Sequence, residues 1–258
     1  MKVIVLVLST QDLGYAKFIE SIRTGWRIEL EKRGIKVYFY EGGYQFNYIE
    51  GDTLKLTVQD DLLHTAKKLK EAIKLLNNED INYDVLYRTN LSSFIEAGNF
   101  ERFVNTLEGN KIIYNGLVGE TSKIQEFFNA KNRTLSFLFR KIDFTRKIKF
   151  ASGSGFFLDK NTSIKISHSG DYNQYIDDIM VALVLNIAPN QNQVVPQRFD
   201  ILEDMSHKID KKEYFRLIKD DCLFHYRFKT KDRSNDAINI KNFCSSDYRL
   251  TYCTLGEL

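Results

Sequence analysis

The sequence predicts an α/β protein: one domain built on a mixed, mostly parallel sheet flanked by helices, with a C-terminal extension. Three observations carry this prediction. The chain opens on a continuously apolar, β-branched run, KVIVLVL, the pattern of a strand covered on both faces. An amphipathic helical stretch and a second strand follow, and strand, helix, strand in that order implies a right-handed parallel unit. Strands then alternate with helices to about residue 190 without an internal repeat, low-complexity tract or linker, and 258 residues is a length that α/β domains commonly reach as one unit.

Taken in order, YAKFIESIRTGWRIELEKRG places Phe18, Ile19, Ile22, Trp26 and Leu30 at helical spacing, with Gly34 where a C-terminal cap belongs. IKVYFYEGG reads as the next strand. A long helix from Asp61 to Asn77 carries Leu62, Leu63, Ala66, Leu69, Ile73 and Leu76 on one side and lysines around the other. It leads to DVLYRTNLSSFI, a buried strand that runs into a polar turn. NFERFVNTL reads as helix, KIIYNG and FASGSGFFLD as strands, and DDIMVALVLN as a short buried helix with Asp177 and Asp178 in its first turn. The last sixty or so residues read as a layer added to the main sheet.

Composition narrows the function classes. A chain 43% hydrophobic and 13% aromatic has ample material for a core, which excludes global disorder. Lysine and arginine number 37 against 34 acids, a near balance that argues against a nucleic-acid binder. Two runs are locally basic, Arg140 to Phe150 and His225 to Arg233; they suit an anionic small molecule, a membrane surface or simply a solvated face. Cys222, Cys244 and Cys253 are odd in number and lack metal-ligand spacing, so a disulfide framework or zinc site is not expected and a reducing compartment is. The first apolar run is too short for a signal peptide, and no stretch approaches the roughly 20 apolar residues of a membrane span. The expected location is cytoplasmic, with peripheral contact to the inner membrane face through the basic patches.

An open parallel sheet binds its ligand beyond the carboxyl ends of its strands. Three polar segments should therefore meet there: LSTQD with Ser9 and Thr10, RTNLSS with Arg88, Thr89, Asn90 and Ser92, and SGSG with Gly153 and Ser154. Hydroxyls and amides at such ends hold ribose or base edges, and glycine lets backbone approach a ligand; SGSG alone also reads as a tight turn or bulge. Asp177 and Asp178 either complement a helix N-terminus or supply a general base at the sheet edge. Alternation in CLFHYRFK puts His225, Arg227 and Lys229 on one strand face, either exposed or converging on a diphosphate, with arginine as the bidentate partner.

Order and spacing then resemble the glycosyltransferases of the fringe and β1,3-galactosyltransferase-like family, which have a GT-A fold, a Rossmann-type sheet. FIESIRTGW is similar to that family's IRxTW helix at Ile22, Arg23, Thr24 and Trp26; GDTLKLTVQDDLLHTAKK looks like its next segment at Asp52, Asp61, Thr65, Lys67 and Lys68. FASGSGFFLDK is similar to its YASGxGYVLS element, and DDIMVALVL to its EDVxxG helix with Asp178 at the shared aspartate. The resemblance covers about residues 1 to 200 and implies transfer of a sugar from a nucleotide-sugar donor to a hydroxyl of a glycan or lipid-linked glycan, with inversion. It makes Asp178 the base, with Asp177 in reserve, residues 1–200 the donor-binding and catalytic core, and 201–258 an extension completing the donor site. Where the family writes aspartates that hold a divalent ion, this chain has Asn90, Leu91 and Ser92; neutral oxygens bind manganese or magnesium poorly. No metal ligand or cofactor is assigned, and Arg88, His225, Arg227, Lys229 and Lys231 are the cations expected to stabilise the leaving group in place of the ion. The competing class is a scaffold that kept the fold and binds nucleotide or glycan without chemistry.

Overall fold

The computed structural model describes residues 1–110, 113–121, 147–170, 172–173, 175–191, 193–201, 222–231 and 233–244. Strand β1 (Val3–Leu8) lies at the centre of a seven-stranded sheet. It is flanked in parallel by β2 (Lys36–Glu41) and β5 (Val85–Asn90), with Val5 opposite Val37 on one side and Tyr87 on the other. The hairpin of β3 (Tyr48–Glu50) and β4 (Thr53–Lys55) extends the β2 edge, β4 parallel to β2. Beyond β5 come two antiparallel strands, β8 (Lys149–Asp159) and then β7 (Tyr114–Glu120). The four strands β4, β2, β1 and β5 thus form a parallel centre with antiparallel edges.

The period-two pattern of β1 separates two cores. Val3, Val5 and Val7 pack with Phe18, Ile22, Trp26 and Leu30, while Ile4 and Leu6 face Leu69, Ile73 and Leu76. The first of these helical layers is α1 (Ala16–Thr24) and α2 (Trp26–Glu31), with α4 (Ala97–Thr106) beside them. The second is α3 (Thr65–Asn78), α5 (Lys160–His168) and α6 (Asp177–Leu185). The single helix expected across residues 15–34 is broken at Gly25, whose φ of −114° and ψ of −119° no helix accommodates. The break seats Trp26 in the core, its indole N–H donating to the Ser93 carbonyl at 2.9 Å. Gly34, at φ +75°, ends the unit as expected.

A second, three-stranded sheet is formed by β6 (Ser93–Ile95), β10 (Leu223–Phe228) and β9 (Gln197–Ile201), with β10 in the middle. Helix α7 (Arg233–Cys244) packs on α1, where Ser21 donates to the Ala237 carbonyl at 2.9 Å. The C-terminal layer therefore leans on the carboxyl end of β5, through β6. No helix among the described residues is long and apolar enough to cross a membrane. Most of the basic run Arg140 to Phe150, together with Cys253, lies outside the described residues.

Candidate functional site

The carboxyl ends of β1 and β5 open onto a cleft of about 460 Å³. Its first wall is the loop after β1. Ser9 is tied to β2 by its N–H donating to the Tyr40 carbonyl at 2.9 Å, and Thr10 Oγ1 and Gln11 N–H both donate to Asp60 Oδ2, at 2.8 and 2.7 Å. Asp60 Oδ1 receives the ammonium of Lys68 at 2.8 Å, and Lys68 is itself only 3% exposed. Burial works against the Asp60 charge, but Lys68, Gln11 N–H and Thr10 outweigh it and hold the carboxyl below the usual range. One buried ion pair thus fixes the loop that carries Ser9 and Thr10.

The opposite wall is the turn after β5, with Asn90 and Ser92, closed by Arg227 of β10 and Arg233 at the start of α7. Arg233 donates to the Phe228 carbonyl at 2.9 Å and pairs with Asp236. Arg227 is half-buried and its Nε is a buried donor with no partner among the described residues. A desolvated guanidinium facing a polar cleft is an unfilled requirement for an anion. A groove of about 310 Å³ continues from the same loop toward β2, lined by Arg23, Phe39, Glu41 and Tyr44.

Two carboxylates, neither of which lines the cleft, stand at the start of α6. Asp177 is 4% exposed, and its Oδ2 lies 2.6 Å from Arg88 Nη2 without receiving a hydrogen bond of good angle. Its own N–H donates to Thr65 Oγ1 at 3.3 Å, and Thr65 lines the cleft. Asp178 is 8% exposed; Oδ2 accepts from Gly153 N–H at 2.9 Å and Oδ1 from Ile179 N–H at 2.8 Å. Desolvation first, and then the charge of Asp177, push the Asp178 carboxyl up to about 6, against the backbone bonds and Arg88, which lower it. A Cβ on Gly153 would meet Asp178 Oδ2 at 3.0 Å, so the glycine of SGSG permits this approach.

Several expected donor residues are placed elsewhere. His225 is not a cation available to a diphosphate. It is 3% exposed, with Nδ1 2.9 Å from the Tyr87 hydroxyl and Nε2 2.8 Å from Ser93 Oγ. Burial, then Arg198 and Arg227, hold its proton affinity well below the ordinary value, so it is neutral. Arg88, also expected at the leaving group, is 2% exposed and spent on Asp177, with Nε donating to Tyr40 Oη at 3.2 Å. Thr89 is fully buried and donates to the Ser154 carbonyl at 2.8 Å. Arg23 pairs with Asp52 in the neighbouring groove, not the cleft. Lys229 and Lys231 are exposed and do not line the cleft. Ser154 is buried and, with Ser152, meets the guanidinium of Arg198, which also pairs with Asp200.

The places where a divalent ion would be held do not fit one. Asn90 Oδ1 already accepts from Ser92 N–H at 3.2 Å, Ser92 Oγ at 2.8 Å and Ser93 Oγ at 3.2 Å, and Leu91 belongs to the core. Among the described residues no group of three His, Cys, Asp or Glu side chains is arranged to hold a metal. Lys68, Asp60 and Arg233 line the cleft without having been assigned by sequence reasoning, and Arg198 meets Ser152 and Ser154 outside it. Asp60 and Lys68 face each other across the start of α3, a pairing that periodicity does not reveal.

No family model and no curated protein matches the sequence. Among solved structures, the chain is similar to a glycosyltransferase involved in the glycosylation of the major capsid of PBCV-1, with 8% identity, a TM-score of 0.48, and 93% of this chain and 99% of that one covered. It is similar also to the galactosyltransferase LgtC in complex with donor and acceptor sugar analogs, with 10% identity, a TM-score of 0.46, and 96% and 99% covered. A third is HddC from Yersinia pseudotuberculosis complexed with GMP-PN, with 9% identity, a TM-score of 0.36, and 95% and 99% covered.

Proposed function

We propose that this chain is a glycosyltransferase of GT-A type that moves a sugar from a nucleotide-sugar donor to a hydroxyl of a glycan or lipid-linked glycan. The observation that supports the reading is a polar cleft at the strand ends that holds Arg227 and Arg233 together with Asp12, Asp60 and Asp61, and whose Thr65 accepts from the N–H of Asp177, the neighbour of Asp178, a buried carboxyl of raised proton affinity. Perturbed groups of this kind cluster at functional sites. The diphosphate lies along Arg227 and Arg233, while Lys68, buried against Asp60, holds the loop after β1, and the nucleoside reaches the groove at Tyr44 and Glu41.

In the reaction, the acceptor oxygen bonds to the anomeric carbon as the bond from that carbon to the diphosphate oxygen breaks. The acceptor proton passes to Asp178, and the electron pair leaves with the nucleoside diphosphate. A base whose pKa is about 6 is matched to this transfer near neutrality. Growing charge on the leaving group is met by Arg227 and by Arg233, the latter held in place by Asp236. Direct displacement of this kind inverts the anomeric carbon. The exposed Lys229 and Lys231 suit contact with an anionic membrane face near a lipid-linked acceptor, which co-sedimentation with anionic liposomes tests.

A second reading draws on the burial of both acids: the chain binds a nucleotide sugar and does not transfer it. Calorimetric titration with UDP-, GDP-, CMP- and dTDP-sugars, each with manganese and with EDTA, finds the donor, and a turnover assay with that donor separates the readings. Donor binding equal in EDTA, with release of nucleoside diphosphate that Asp178→Asn abolishes, supports the transferase. Binding without any turnover supports the second reading, and no binding to any donor overturns both.

A further inference from the structure

Another cavity is separate from the cleft. It is a groove of about 740 Å³ between α3 and the end of α5, on the other side of the turn at residues 62–64. His64 of that turn lines the groove, whereas Leu62 and Thr65 line the cleft. Helix α3 presents Lys67, Lys70 and Lys74 to it, three ammonium groups at helical spacing.

The groove carries net positive charge. Its carboxylate is Glu71, whose two oxygens are taken by Lys74 at 2.7 Å and the Asn47 amide at 3.2 Å. Lys70 is 4% exposed and reaches across to Asn173 Oδ1 at 2.7 Å, which joins the two walls. Lys67 is exposed and has no acidic partner among the described residues. Glu71 offsets Lys74, so the groove keeps an excess of positive charge with the exposed Lys67 at its front.

The far wall is built of hydroxyls. Ser169 Oγ donates to the Ile166 carbonyl at 2.8 Å, which leaves its lone pairs to accept from a ligand, while the buried Ser167 is spent on the Ile164 carbonyl at 2.8 Å and on His168 Nδ1 at 3.2 Å. The lining among the described residues holds no Phe, Tyr or Trp, so no ring is offered for a nucleobase to stack on. Its size is that of a small-ligand or oligosaccharide site, too small for a duplex. Lysines exclude a divalent cation. A ligand that is anionic, rich in hydroxyl donors and a few rings long meets all of these constraints.

We infer that this groove is a binding site for an anionic saccharide, one bearing carboxylate, phosphate or sulfate groups on a hydroxyl-rich chain. The lysines of α3 take the anionic substituents and the Ser167–Gly170 wall takes the hydroxyls. The inference stands on this groove and does not depend on what the cleft does.

The probe is a heparin-derived hexasaccharide, titrated against the intact chain at low salt, with neutral maltohexaose as the control. The expected result is binding of the sulfated chain only, weakened at least tenfold in Lys67→Glu/Lys74→Glu, two positions exposed enough to keep the fold, as a thermal melt verifies. Ser169→Trp, which fills the other wall without touching charge, is expected to weaken it similarly. Affinity for the nucleotide-sugar donor should stay unchanged in both variants. Failure of the wild type to bind the hexasaccharide, equal binding of maltohexaose, or full binding by both variants overturns the inference. So does a protein that sediments with phosphatidylserine vesicles but takes no hexasaccharide in solution, which would make the patch a membrane contact.

Discussion

Replacing Asp178 by Asn should stabilise the protein while ending transfer. The folded carboxyl is held at about 6 against an ordinary value of 3.8, so its ionised form is disfavoured by burial and by Asp177. At about 1.4 kcal/mol per pKa unit, the ionised side chain costs about 3 kcal/mol at pH 8. Asn removes the charge but keeps only one oxygen for the Gly153 and Ile179 amides, a loss of about 1 kcal/mol. The net expectation is a gain of about 2 kcal/mol at pH 8. The sign with pH follows from the raised pKa: the group takes up a proton on folding, so its unfavourable contribution is absent below the unfolded pKa and complete above 6. Near pH 4 the penalty falls to about 0.5 kcal/mol, and the variant should lose its advantage. Urea unfolding of both proteins at pH 8 and pH 4, read by circular dichroism, measures the difference. A variant less stable than wild type at pH 8, or a difference that does not change with pH, refutes the reasoning.

Arg88→Met should cost about 3–5 kcal/mol, because it leaves Asp177 as an uncompensated buried charge; adding Asp177→Asn should recover most of it in the same unfolding assay. Arg227→Gln and Arg233→Gln should each weaken donor binding by roughly 10- to 100-fold, the worth of about 1.5–3 kcal/mol for a bond to a charged group, as calorimetry reads, with a melting temperature near wild type for Arg227→Gln and a lowered one for Arg233→Gln, which leaves the buried Asp236 without its cation. Gly155→Ala should destabilise by about 1–3 kcal/mol, since its Cβ would overlap the Tyr87 hydroxyl and stand 2.7 Å from His225 Nδ1; a thermal melt within a degree of wild type would show that this contact yields.

The parallel centre was legible because a strand covered on both faces has no polar alternation, and KVIVLVL has none. The hairpin at residues 48–55 went unread although Gly51, at φ +59°, and Asp52 mark its turn; its strands are three residues each, too short for a period to emerge. Gly25 was hidden by apolar residues that stay in helical phase on both sides of the break. Ser9, Thr10, Asn90 and Ser92 line a cleft because strand ends locate one, and Arg227 joins them from an alternating strand. His225 lies deeper than expected because alternation tells which face a side chain takes but not how deep that face is buried, and Arg88 because β5 runs on through it to Asn90, so it stands inside the strand and not in the turn. Asp60 and Lys68 were missed because their meeting is tertiary.

The turn after β5 has a historical consequence. Asn90 spends its oxygen on three donors of its own turn, and Leu91 sits in the core. A single change to aspartate at 90 would inherit the same three donors and stay turned inward, while an acid at 91 would be driven into hydrocarbon. An ion-holding strand end therefore lies more than one substitution away from this sequence.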